Sequence, residues 1–158
     1  MTAIRASDAI RKRSAATPTV MMRPTTSARA RLIEAAHVTV RYKGYSATSV
    51  DELCARAGVT KGAFFHHFAT KEALAIEAVE QWTRRAEELI FTLPPWTRIA
   101  DPLERYIAHV DFRLSMLNGP IEDFTCFVGT VVQESYATSD LLRAACDASI
   151  SAYCHRLA

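Results

Sequence analysis

Thr60, Lys61, Gly62 and Ala63 carry the most specific chemistry in this 158-residue chain. Lys61 can reach a phosphate or a guanine edge, and Thr60 can offer its hydroxyl or the N–H groups of a helix start to a phosphate. Gly62 and Ala63 have little side chain to obstruct close approach to a DNA major groove. His66 and His67 fall on the outward side of the same segment, between the apolar Phe64 and Phe68. Lys71, at the next helix start, adds a further phosphate clamp. This is the chemistry of recognition.

Such a segment needs a rigid mount, and the preceding residues describe one. Ser49 followed by Glu52 forms a capping box, with Thr48 as the alternative cap, and opens a helix whose inward face is Val50, Leu53, Cys54 and Ala57. Gly58 turns the chain, Val59 plugs the core, and Thr60 caps the next helix. Upstream, Leu32, Ile33, Ala36 and Val40 recur at helical spacing, which predicts a helix over about residues 27–43 with Gly44 as a left-handed stop. Thr70 caps a fourth helix with Glu72 in its first turn. Two helices joined by a glycine turn also occur in ordinary all-α proteins. The ordered series of cap, core, turn, cap and aromatic cluster over residues 49–68 is what favours a helix-turn-helix.

Charge supports the same reading. Residues 1–72 carry 12 Lys/Arg against 5 Asp/Glu, net +7, and residues 73–158 carry 7 against 12, net −5. A basic front half attracts polyanions and an acidic back half is repelled by them. Residues 1–26 are basic and rich in Ser, Thr and Ala, with poor periodicity, and are expected to be a disordered tail. Met21 and Met22 at its end are an alternative start of translation. The first residues show no apolar h-region, so secretion is not expected, and the nearly apolar stretch from Phe124 to Val132 is too short to span a bilayer. The expectation is a cytoplasmic protein with no membrane partner and with its cysteines reduced.

These motifs resemble the DNA-binding domain of the TetR family of transcriptional regulators. The resemblance covers residues 27–80 and rests on Thr48-Ser-Val-Asp-Glu-Leu53, Ala57-Gly-Val-Thr-Lys-Gly62, Phe64-Phe-His-His-Phe68 and Thr70-Lys-Glu-Ala-Leu74. It implies a homodimer on a palindromic double-stranded DNA operator, usually repressing until a small molecule binds the C-terminal helices. Carried over residue by residue, it places DNA contacts at Thr48, Ser49, Thr60 to Ala63, Phe65, His67 and Lys71. Phe65 is a departure, since many members have tyrosine there and use its hydroxyl on a phosphate. One lost hydrogen bond of this kind is worth about 1 kcal/mol, which leaves binding intact.

The predicted architecture is all-α: a tail (1–26), a helix-turn-helix domain (27–72) and a helical regulatory and dimerisation domain (73–158). In the last, Pro94-Pro95 breaks the chain, Asp101-Pro102 opens a helix with the stripe Leu103, Ile107, Val110, Leu114 and Leu117, another covers about Glu122 to Tyr136, and Ser139 or Asp140 caps the last. Ala144, Ala145, Ala148, Ser149 and Ala152 make that helix narrow-sided and suited to close packing on a partner. Only one long C-terminal helix is legible where the family has two, so a truncated chain with weakened dimerisation is expected. Trp82, Trp96, Phe112, Met116, Phe124 and Phe127 are candidates to line an effector pocket, with plain core as the alternative for at least half of them. Phe91 belongs to the same aromatic set, and Arg113 is a candidate partner for an anionic group with a surface salt bridge as its default. A rival reading, a thiol redox sensor, rests on Cys126, Cys146 and Cys154. A small helical enzyme is the other rival, but the chain has no P-loop, G-x-S-x-G or zinc spacing, and no cofactor or metal is expected.

Overall fold

A computed structural model describes residues 27–92, 95–120 and 124–157; the expected basic tail and the Met21/Met22 start lie outside these. The fold is all-α. The first helices are α1 (Ala28–Lys43), α2 (Val50–Ala57), α3 (Lys61–His67) and α4 (Lys71–Ala86). A π-helical turn (Glu87–Thr92) and a 3-10 turn (Pro95–Arg98) follow. Then come α5 (Pro102–Ser115), α6 (Phe127–Ser135) and α7 (Asp140–Leu157).

Capping side chains set most of the helix starts. The side-chain oxygens of Ser27, Ser49, Thr60, Thr70 and Asp101 each accept from the backbone N–H three residues on, satisfying donors that the helix itself leaves open. Ser139 does the same for Leu142 at 3.1 Å. Gly58 is left-handed (φ 62°, ψ 45°) and joins α2 to α3. Gly44 differs from the expected left-handed stop: its φ is 96° but its ψ is 160°, an extended exit that turns the chain away from α1.

One apolar core spans both halves of the chain. Leu32, Ile33, Ala36 and Val40 of α1 meet Leu53, Ala57, Phe64 and Phe68, and the same cluster continues through Leu74, Ala78 and Val79 into Phe127, Val131, Leu142 and Cys146. Phe64 and Phe127 are fully buried, and each such ring contributes roughly 1.5–3 kcal/mol of burial. A smaller cluster gathers Ile90, Phe91 and Trp96 with Phe112, Tyr153 and Leu157.

The second half adds detail to two elements. Of the helix expected over about Glu122 to Tyr136, residues 122 and 123 lie outside those described; Phe124 is helical, the chain bends at Thr125, and α6 starts at Phe127, with Cys126 extended and its Sγ accepting from Gly129 N–H. The Thr125 carbonyl is taken instead by Arg41 Nε at 2.7 Å, which holds the backbone out of a helix there. On α5, the apolar stripe does not face the core. Leu103, Ile107, Val110, Leu114 and Leu117 are exposed, and the helix packs through the opposite side, where His109 is buried.

Candidate nucleic-acid interface

The recognition segment is built as a short helix held across another. Ser49 Oγ accepts from Glu52 N–H at 3.2 Å, while Glu52 accepts from Ser49 N–H at 2.9 Å, completing the capping box. Lys43 also bonds Glu52. The Lys43 ammonium, then the Ser49 N–H and hydroxyl, hold the Glu52 carboxyl down at about 2. Thr60 Oγ1 accepts from Ala63 N–H at 3.1 Å and fixes the first turn of α3. Phe64 and Phe68 anchor α3 from below, and Phe65 stands outward with 55% of its surface exposed, edge-on to Phe64 at 5.1 Å.

Thr60, Lys61, Gly62, Phe65 and His66 are all exposed on α3 and at its start, with Ala63 and His67 half-buried beside them. A Cβ placed on Gly62 would find only Thr60 Oγ1, at 3.8 Å, so the fold does not require glycine there. Lys61 Nζ bonds Asp51 Oδ1 at 2.8 Å across the two helices, which raises the lysine pKa through that hydrogen bond. Asp51 lay in the quoted α2 run but was not singled out from sequence. Its link to Lys61 depends on the angle between α2 and α3. The His66 and His67 rings meet at 5.0 Å, and no group of three or more His, Cys, Asp or Glu able to hold a metal occurs among the described residues.

Thr48 and Lys71 are placed differently from the expected contacts. Thr48 is 2% exposed, and its hydroxyl donates to Gly44 O at 2.7 Å. Lys71 Nζ donates to Tyr45 O at 3.0 Å and Thr48 O at 2.9 Å and sits 4.3 Å from the Tyr45 ring centroid. Burial lowers the Lys71 pKa. The Thr48 hydroxyl closes the 44–49 loop on itself, while the Lys71 ammonium supplies donors to its carbonyls and staples it to α4. Ser49 remains exposed at the loop's end.

The loop is also held from the far half of the chain. Glu134 Oε2, on α6, accepts from Ser46 N–H at 2.7 Å. Arg41 reaches the Thr125 carbonyl and lies 4.8 Å from the Trp82 ring. Buried His37 donates from Nε2 to Ala78 O at 2.8 Å and meets the Phe127 ring edge-on at 4.8 Å. None of these positioning residues is singled out by the sequence.

The effector-pocket candidates divide between the two clusters. Trp82 and Phe127 pack around His37 in the main core, whereas Trp96 and Phe112 pack with Phe91, His109 and Tyr153; Met116 and Phe124 are half-buried. In the second cluster Trp96 Nε1 and His109 Nδ1 are buried without a hydrogen-bond partner among the described residues. The cavity that includes Phe127 measures about 10 Å³. A surface groove of about 460 Å³ lies along α1 and α4, lined by Arg29, Ile76, Glu77 and Arg84, and includes none of the candidates. Among the cysteines, burial pushes Cys146 up to about 11, which keeps it a thiol at neutral pH, while Cys126 and Cys154 are exposed. No described helix is long and apolar enough to cross a membrane.

A capped, outward-facing α3 on a three-helix mount, sharing a core with a helical body, defines a helix-turn-helix protein with an attached helical domain. The family model of bacterial regulatory proteins of the tetR family matches residues 32–78. The chain is 32% identical over 83 residues to the transposon Tn10 TetC protein of Escherichia coli, covering 50% of this chain and 42% of that one. It is 27% identical over 124 residues to the HTH-type transcriptional repressor DhaR of Mycobacterium sp. (strain GP1), covering 75% of this chain and 57% of DhaR. Among solved structures, the regulatory protein TetR from Rhodobacter sphaeroides superposes with TM-score 0.64 at 28% identity, over 82% of this chain and 68% of that one. Over residues 32–78 the chain matches the TetR family of helix-turn-helix transcriptional regulators, and its fold is similar to that of a solved member. Its matches cover between 30% and 57% of the first three curated relatives' length.

Proposed function

We propose that this chain acts as a ligand-responsive repressor, a homodimer that reads a palindromic operator with one α3 in each half-site. The observation that carries this is the exposed Thr60–Lys61–Gly62 start of α3 on a buried, multiply capped mount. Lys61 and the Thr60 hydroxyl meet the DNA, Phe65 and His66 flank them, and Ser49 offers the start of α2 to the phosphate backbone. Repression is carried over from DhaR, whose name states that activity. The effector is a small molecule taken up by the helical body, with the cluster around Trp96 and Phe112 favoured by its two unpartnered buried polar atoms.

The test is selection of random double-stranded DNA by the purified chain, followed by binding measured against salt. The expected outcome is an inverted repeat whose half-sites lie about 34 Å apart on one DNA face. Enrichment of no sequence over bulk DNA would refute operator reading.

A further inference from the structure

Asp51 and Lys61 meet on the outer face of the reading head. Lys61 Nζ donates to Asp51 Oδ1 at 2.8 Å, and the two side chains are 68% and 60% exposed for Asp51 and Lys61. Asp51 stands in the first turn of α2 and Lys61 opens α3, so the crossing of the two helices sets their separation. A helix start stabilises a carboxylate in its first turn, but Glu52 already serves there, tied to Ser49 and Lys43. Asp51 makes no hydrogen bond among the described residues except the one to Lys61. A carboxylate on a surface that meets phosphates weakens binding unless the DNA gives it a donor.

We propose that Asp51 and Lys61 act as one unit that reads a single base pair of the operator by which strand carries its keto base. The proposal rests on the operator reading above and deepens it by naming the hydrogen-bonding order the head selects. In the major groove, guanine opposite cytosine presents its O6 acceptor beside the N4 amino donor. Thymine opposite adenine presents its O4 acceptor beside the N6 amino donor. In both pairs the two groups are themselves hydrogen-bonded, so they lie about 2.9 Å apart. Lys61 and Asp51 are a donor and an acceptor held 2.8 Å apart, the complement of that edge. The ammonium meets the keto oxygen and the carboxylate meets the amino group. One ammonium N–H serves Asp51, a second the keto oxygen, and the third guanine N7 or a flanking phosphate. Thymine has no N7, so G·C is preferred to T·A. The reversed pairs, C·G and A·T, set the ammonium against an amino group and the carboxylate against a keto oxygen. They are disfavoured twice over.

Selection from random double-stranded DNA, run side by side with the wild-type chain, Asp51→Ala and Lys61→Ala, tests this. Wild type should enrich a half-site with one position at which G·C leads, T·A follows and the reversed pairs are depleted. Both variants should relax the preference at that same position and keep the preferences elsewhere. Titrations should then compare the selected operator with a copy in which that one pair is reversed. Wild type should discriminate by at least about 25-fold, from two contacts of roughly 5-fold each. Each single variant should fall to about 5-fold and the double variant to about one. Both side chains are exposed, so circular dichroism of the variants should match wild type. If Asp51 merely shields Lys61, Asp51→Ala would tighten binding to every sequence alike and leave the discrimination at its wild-type value. That result overturns the proposal, as does relaxation at two different positions. An operator whose preferences ignore both substitutions overturns the paired reading and leaves operator reading standing. Enrichment of no sequence by wild type overturns both.

Discussion

Glu134 Oε2 accepts a hydrogen bond from Ser46 N–H at 2.7 Å, joining α6 to the loop that leads into α2. A Cβ on Gly44 would run into that same Glu134 carboxylate, and the Gly44 φ of 96° already disfavours a side chain. Gly44→Ala should therefore cost about 1–2 kcal/mol from the backbone alone, with an added steric cost. Glu134→Ala should cost about 1 kcal/mol. Denaturant unfolding of both single variants and the double should show the steric part vanishing in the double. Simple additivity would mean that Glu134 does not press on residue 44.

Two glycines separate folding from recognition. Gly58 is left-handed with open space around it, so Gly58→Ala should destabilise by about 1–2 kcal/mol through conformation alone. Gly62 sits inside α3 with room for a methyl group, so Gly62→Ala should keep or raise stability by about 0.5–1 kcal/mol. Its operator affinity should fall, because the added methyl meets the DNA. Unfolding curves and anisotropy on the selected operator check both. Unchanged affinity in Gly62→Ala would place position 62 away from the groove.

The two lysines of the region should respond differently. Lys61→Ala should lower the slope of log affinity against log salt by about one, as loss of one phosphate contact does. Asp51→Asn releases Lys61 and removes a negative charge from the DNA face, so affinity should rise. Lys71→Ala should chiefly lower the melting temperature, since its ammonium holds the Tyr45 and Thr48 carbonyls. A Lys71→Ala chain that melts like wild type would return Lys71 to the phosphate contacts.

Phe65 is exposed, so a hydroxyl added to it enters solvent or the interface and leaves the core untouched. Phe65→Tyr should hold or modestly raise operator affinity, by about 1 kcal/mol at most. A large loss of affinity would contradict that outward placement.

Acid should loosen the start of α2. The Glu52 carboxyl is lowered from 4.5 to about 2 by Lys43 and by the Ser49 N–H and hydroxyl. A depressed carboxylate contributes stability that is present above pH 4.5 and is lost as pH falls through 4.5 toward 2. Thermal melts across that window should show Glu52→Gln with a shallower decline than wild type. Parallel declines would assign the acid loss to other carboxylates.

The local structure of the reading head was legible in sequence. Ser49 with Glu52, Thr60 with Ala63, Gly58 and Asp101-Pro102 act over three or four residues, so spacing alone locates the helix starts and the turn. The Phe64/Phe68 anchor was legible for the same reason, through helical period. Tertiary structure decided what lies beyond that range. Thr48, through the family resemblance, and Lys71, as a cation at the next helix start, read as DNA contacts. Folding also gives their side chains partners within the protein: buried Thr48 donates to the Gly44 carbonyl, and half-buried Lys71 donates to the Tyr45 and Thr48 carbonyls. Glu134, Arg41 and Asp51 acquire their roles from partners 88, 84 and 10 positions away, set by how helices cross. The α5 stripe makes the same point: its period predicts an apolar face, but only packing shows that α5 fills the core with its other side.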